Sequence, residues 1–203
     1  MEAYVKRMLL HLDPEDKAYK HTMTPLPKDL EAGIRKTYKG RVNGGTTPWV
    51  TESEAQKRRY IDAVLSQCIY LINAGRQEDE QLELKPEYEL SCKALEASGK
   101  ADWVIKRGKH MLVVIEAKQC DINNGQYQLM AMMEAIRIMN KKTTDSPQTI
   151  KAICTDFQNW LFVEKTAQQF NKEITDAALP EGKDLPETIL PICERVYDVL
   201  LNL

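Results

Sequence analysis

The chain is predicted to be an α/β domain with a mixed central β-sheet flanked by helices, and three observations predict it. A helix-period apolar stripe runs from Thr51 to Ala74. Two β-rich runs follow, Ala101 to Arg107 and Met111 to Lys118, joined by Arg107-Gly-Lys-His110, which reads as a hairpin turn with glycine free for a positive φ. A strongly apolar helical run from Gln126 to Asn140 then precedes a second pair of β-rich segments.

In chain order, residues 1–48 are expected to form an N-terminal arm, partly irregular, with a short helix from Lys28 to Thr37 and a loop at Gly44-Gly-Thr-Thr-Pro48. Residues 49–203 carry the folded domain. In the helix from Thr51 to Ala74, Ile61, Val64, Leu65, Cys68, Ile69 and Ile72 define the buried stripe. At about 100° per residue, Glu54 falls within roughly 20° of that stripe and Glu52 about 180° from it. Thr51 and Glu54 also fit a capping box, Thr-x-x-Glu, so a cap and a site role both stand for Glu54. Lys57 and Arg58 flank the stripe, either as solvated charges or as contacts to a phosphate backbone.

Glu87 to Ala94 alternates, with Tyr88, Leu90, Cys92 and Ala94 on one face, and leads through Ser98-Gly99 into the hairpin. Pairing Arg107 with Met111 across a three-residue loop sets Val104 opposite Val114 and Asp102 opposite Glu116, since paired numbers keep a constant sum. Glu116 and Lys118 then share one face, while Val113, Ile115 and Ala117 point to the other. Cys120 to Gly125 reads as a turn, and the next helix carries Leu129, Met130, Met133, Ile136 and Met139 as core. Thr149 to Thr155 and Trp160 to Lys165 pair around a turn at Asp156. Asp176 to Asp184 is read as a linker to a terminal helix from Pro186 to Leu203.

Two carboxylates directly opposite in a sheet are destabilising by up to about 1 kcal/mol unless a cation lies between them. Hard oxygen ligands with few histidines nearby suit Mg²⁺ or Mn²⁺ better than zinc. A lysine beside them could orient an attacking water or steady charge developing on a phosphorus centre. A plainer reading pairs Asp102 and Glu116 with Lys118 and Lys100 as an ion network, with no metal.

The pattern Asp102, then Glu116-Ala117-Lys118, resembles the PD-(D/E)XK nuclease superfamily, although Ala101 rather than proline precedes Asp102. The order helix, three strands, helix, strand from Thr51 to about Lys165 is similar to that family's shared restriction-endonuclease-like core. The Ser-Glu-Ala helix start and the Ile-Glu-Ala-Lys strand look similar to nuclease-like domains of fungal and oomycete effector and mobile-element proteins. The resemblance implies a metal-dependent nuclease acting on nucleic acid, DNA favoured over RNA. It implies that Asp102, Glu116 and the Ala117 carbonyl hold Mg²⁺ or Mn²⁺, with Glu54 completing the set. Lys118 would position water, and Gln126, in the first turn of its helix, would contact the lysine or the phosphate. Lys57, Arg58 and Lys100 are the candidate nucleic-acid contacts. The alternative it leaves is a catalytically inactive module of the same fold that binds nucleic acid or a protein partner.

Composition fits this without choosing. The 203 residues carry a formal charge of −2, which argues against a nonspecific basic coat on DNA. The five cysteines are widely spaced without a Cys-x-x-Cys and read as reduced core residues. With no signal-like start and no membrane-length apolar run, an intracellular protein is expected, cytoplasmic or nuclear, with no membrane partner. Cutting both strands of a duplex would favour a homodimer.

Overall fold

The computed structural model describes residue 28, 54–95, 97–118, 122–142, 145–166, 170–176 and 185–203. Residue 28 apart, the readings of the N-terminal arm, of Glu52, of the Thr51 cap, of Cys120 and of the linker after Asp176 fall outside these residues. Helix α1 (Glu54–Asn73) leads into an antiparallel run of three strands, β1 (Leu82–Cys92), β2 (Ala97–Arg107) and β3 (His110–Ala117). Helix α2 (Ile122–Asn140) crosses over to β4 (Ile150–Thr155), followed by β5 (Asn159–Lys165), β6 (Phe170–Asp176) and α3 (Leu185–Leu201). The six strands form one sheet in sequence order. Among the described strands only β3 and β4 run parallel; their connection needs the α2 crossover, whereas the antiparallel neighbours are joined by shorter links.

Each sheet face carries its own core. On one, Ile61, Leu65 and Cys68 of α1 and Ile189, Ile192 and Val196 of α3 meet Trp103, Ile115, Ile153 and Phe162. On the other, Leu129, Met133 and Ile136 of α2 meet Val104, Val114, Ala152 and Leu161. The whole predicted stripe of α1 is buried. Truncating such a residue, Leu65→Ala for instance, removes its transfer energy and leaves a cavity, at about 2–5 kcal/mol. Glu116's face of the sheet is therefore core as well, closed by α2, and not a purely chemical surface as strand alternation alone suggested.

Polar side chains tie the element ends together. Asn73 closes α1 onto β1, donating to the Leu82 carbonyl (2.9 Å) and accepting its N–H (2.8 Å). Lys151 donates to the carbonyls of Val199 and Asn202, both at 3.2 Å, and Arg76 to that of Leu201 at 3.3 Å. These cations meet orphan carbonyls at the negative end of the α3 dipole.

Several boundaries differ from expectation. β1 begins at Leu82 rather than Glu87. Pro86 lies inside it, tolerated because β1 is an edge strand, and Glu87 adopts a positive φ of 49°. β6 was not anticipated at all: it is the opposite edge strand, polar in sequence, and an edge needs fewer apolar residues than a central strand. The turn at Asp156 forms as expected, its Oδ1 accepting the N–H groups of Gln158 (2.9 Å) and Asn159 (2.7 Å).

Candidate functional site

The candidate site lies where β2 passes the carboxyl end of β3, beside the first turns of α2. Its register was expected from a three-residue hairpin loop, and the route differs. Arg107 pairs with His110, so the turn holds two residues, with Gly108 at φ +54°. A bulge between Ile105 and Lys106 then leaves Leu112 as an extra residue, and Leu112 and Val113 both enter the α1 core. Beyond the bulge the expected pairs return: Ile105 with Val113, Val104 with Val114 and Trp103 with Ile115.

Asp102 lies one residue past this ladder, at a break in the strand. Ala101 packs into the α2 core and Trp103 into the α1 core, although two residues of equal parity should share a face. The β1–β2 ladder likewise passes from Pro86–Trp103 to Tyr88–Ala101 without a Glu87–Asp102 pair. At this break Asp102 Oδ2 accepts the Ala117 N–H at 2.7 Å, and Oδ1 takes Arg58 Nη1 of α1 at 2.6 Å. The same guanidinium lies 5.1 Å from the Trp103 ring centre and 3.8 Å from Glu87, which in turn accepts Lys100 Nζ at 2.7 Å.

Glu116 is 5% exposed. Its Oε1 accepts Lys118 Nζ at 2.6 Å, while Oε2 is buried with no hydrogen-bond partner among the described residues. Burial pushes its carboxyl above the ordinary carboxylate value; the Lys118 bond opposes that and the nearby charge of Asp102 adds to it. Lys118 also donates to Gln128 Oε1 at 2.9 Å, and its backbone N–H is held by the Thr155 carbonyl at 2.8 Å.

Of the residues predicted from sequence, Asp102, Glu116, Ala117, Lys118 and Arg58 come together. Glu54 is in phase with the buried stripe but exposed, at the first residue of α1, and no hydrogen bond or ion pair among the described residues joins it to Asp102 or Glu116. Lys57 is buried on the stripe itself, 5% exposed, so it is not an open phosphate contact. Lys100 is exposed and paired with Glu87. The hairpin cations Lys106, Arg107 and Lys109 lie toward the other end of the strands; nine residues of extended chain put Lys109 roughly 30 Å from Lys118.

Gln128, not Gln126, meets the lysine. The reason is the start of α2, which begins at Ile122 instead of Gln126 and carries Gln126 past its first turn. The signal was Gly125, read as the end of a turn. It lies inside the helix, where a Cβ would stand 2.6 Å from Cys154 Sγ and 3.0 Å from Lys118 Cγ, so glycine lets α2 come down on the site. Cys154 itself is an inert thiol, pushed up to about 12 by burial.

The donors are chemically right for Mg²⁺ or Mn²⁺, and the bare Glu116 Oε2 is an oxygen still wanting a partner. The arrangement is not: both Asp102 oxygens are engaged, and no group of three or more His, Cys, Asp or Glu placed to hold a metal occurs among the described residues.

No family model matches the sequence, and no curated protein matches it either. Among solved structures, the fold is similar to the type IIG restriction endonuclease BpuSI, with a TM-score of 0.52 at 18% identity. The match covers 79% of this chain and 18% of that one, so the chain spans less than a fifth of the enzyme it resembles. The likeness is partial and one of fold: a mixed sheet flanked by helices, in the manner of a restriction-endonuclease core.

Proposed function

We propose that this chain is a nuclease-fold module that binds nucleic acid through the centre at Lys118, without a metal-loaded active site. The observation that carries the reading is that each carboxylate of the centre has a cation from the chain itself, Asp102 from Arg58 and Glu116 from Lys118, each at 2.6 Å. A carboxylate pair neutralised in this way does not repel a phosphate, and Lys118, a quarter exposed, can share its remaining donor capacity with a phosphodiester oxygen. An apolar groove lined by Leu90, Ser98, Gly99, Gln128, Ala131 and Met132 leaves the centre at Gln128 and offers a surface for the base side of a strand. The likeness to a restriction endonuclease supports nucleic acid over a protein partner.

Fluorescence anisotropy with labelled duplex DNA, single-stranded DNA and RNA in EDTA tests this. Binding is expected to weaken with salt, and Lys118→Ala is expected to weaken it about tenfold, as for one charge-assisted phosphate contact. No binding to any of the three would contradict the reading.

A second reading, a Mg²⁺- or Mn²⁺-dependent nuclease, is favoured by the unpartnered Glu116 Oε2. There Asp102, Glu116 and the Ala117 carbonyl would hold the ion, which supplies Lewis-acid charge neutralisation, and Lys118 would orient water. It needs Arg58 to leave Asp102. It predicts metal-dependent cleavage abolished in Glu116→Ala and Lys118→Ala.

A further inference from the structure

We propose that Arg58 is the built-in counter-cation of Asp102, standing in the place of a divalent ion and keeping this centre from loading one. The inference rests on the reading of an unloaded centre given above and assigns the exclusion to one residue; it is tested on ion binding by the protein alone, so its failure and a failure to bind nucleic acid are separate results.

Arg58 is held independently of the aspartate. Its guanidinium lies over the Trp103 ring at 5.1 Å, and that ring is fixed in turn by Trp103 Nε1 donating to Asp62 Oδ1 at 3.1 Å. Asp62 is four residues on from Arg58, on the same face of α1, so one helix grips the indole by its face and by its N–H. Glu87, 3.8 Å away, adds a second carboxylate to the guanidinium's surroundings. The side chain is thus positioned on Trp103 before its neighbour Asp102 is considered, and Asp102 Oδ1 then meets a cation already in place at 2.6 Å.

The consequence follows from oxygen accounting. Asp102 Oδ2 is committed to the Ala117 N–H at 2.7 Å, and Oδ1 to Arg58. Glu116 Oε1 is committed to Lys118 at 2.6 Å. Of the four carboxylate oxygens only Glu116 Oε2 has no partner among the described residues, so an ion there would have to displace Arg58 from Asp102 Oδ1 to gain a second carboxylate beside the Ala117 carbonyl. A guanidinium at Asp102 would repel a cation brought to the same carboxylate, so loading requires Arg58 to move.

The test is Mn²⁺ binding by the purified protein without nucleic acid, read by electron paramagnetic resonance of the free ion and by melting temperature in Mn²⁺ against EDTA. Arg58→Met removes the charge and keeps the stem; Arg58→Gln is the second variant should the first not fold, as judged by circular dichroism in EDTA. Either is expected to bind Mn²⁺ at least about tenfold tighter than wild type and to gain thermal stability from it. Adding Glu116→Gln should remove the gain, and Arg58→Lys, which keeps the charge, should bind no better than wild type. Wild type binding Mn²⁺ as tightly as Arg58→Met, a neutral variant that gains nothing, or a gain in Arg58→Lys equal to that in Arg58→Met would each overturn the proposal.

Discussion

Two glutamates in the region of the sheet beneath α2 are treated in opposite ways. Glu134, on α2, and Glu116, on β3, are both buried, at 9% and 5% exposure. Glu134 is matched on both oxygens. Arg137 donates to Oε2 from Nε at 2.8 Å and to Oε1 from Nη2, and Lys165 stands 3.4 Å from Oε2 with its ammonium over the Phe170 ring. Burial alone would raise its carboxyl, but the Arg137 bonds and the Lys165 charge outweigh burial and hold it below the ordinary value. Glu116 has one cation and one bare oxygen, and its carboxyl is held above that value. Glu134 is satisfied on both oxygens as a structural ion pair, whereas Glu116 shares its one cation, Lys118, with Gln128 at the centre proposed to meet a phosphate.

The comparison can be broken first at its stable member. Glu134→Gln leaves Arg137 and the buried Lys165 without their anion, and is expected to cost about 2–3 kcal/mol in urea unfolding. Next comes Gly125→Ala, where the new methyl presses on Cys154 and the Lys118 stem. The clash outweighs the helix-propensity gain of up to about 1 kcal/mol, for a net loss of about 1–2 kcal/mol, with Lys118 displaced from Glu116. Glu116→Gln should change stability by less than about 1 kcal/mol, because a neutral amide removes the bare buried oxygen even as it weakens the Lys118 pair.

The two glutamates should also give opposite pH dependences. Above its ordinary value of 4.5, the unfolded chain has lost the Glu116 proton while the folded protein still holds it, so stability falls as pH rises toward the raised value. Below 4.5 that effect disappears. Glu134 contributes stability above 4.5 that is lost as pH falls through its lowered value. Thermal denaturation between pH 3 and pH 8 should therefore show wild type losing ground to Glu116→Gln above about pH 4.5, and losing its advantage over Glu134→Gln below it. Parallel curves for all three proteins would contradict the two directions.

How much of this was legible in the sequence divides along the same line. The α1 stripe and the hairpin strands carry strong periodicity, and Val104 meets Val114 as the numbering requires. The end of α2 at Asn140 was also legible, but its start was not. Asn123, Asn124 and Gly125 are turn formers by propensity, and only the tertiary approach of α2 to Lys118 makes them helical. That displacement is why Gln126 was expected where Gln128 stands. The β6 strand was hidden because an edge strand has little apolar signal to read. The partner of Asp102 was hidden for a different reason. Arg58 is 44 residues away, and a long-range ion pair leaves no local periodicity; the sequence placed the arginine near the site but as a phosphate contact.

The measurement that bears most directly on the central claim is incubation of the wild-type protein with plasmid, linear duplex, single-stranded DNA and RNA, in Mg²⁺, Mn²⁺ or EDTA. Binding and integrity of each substrate would be followed together. A module whose carboxylates are neutralised by Arg58 and Lys118 should retain bound nucleic acid in EDTA and leave it intact in either metal. Metal-dependent cleavage by the wild type, abolished in Glu116→Ala and Lys118→Ala, would contradict the account and establish the nuclease.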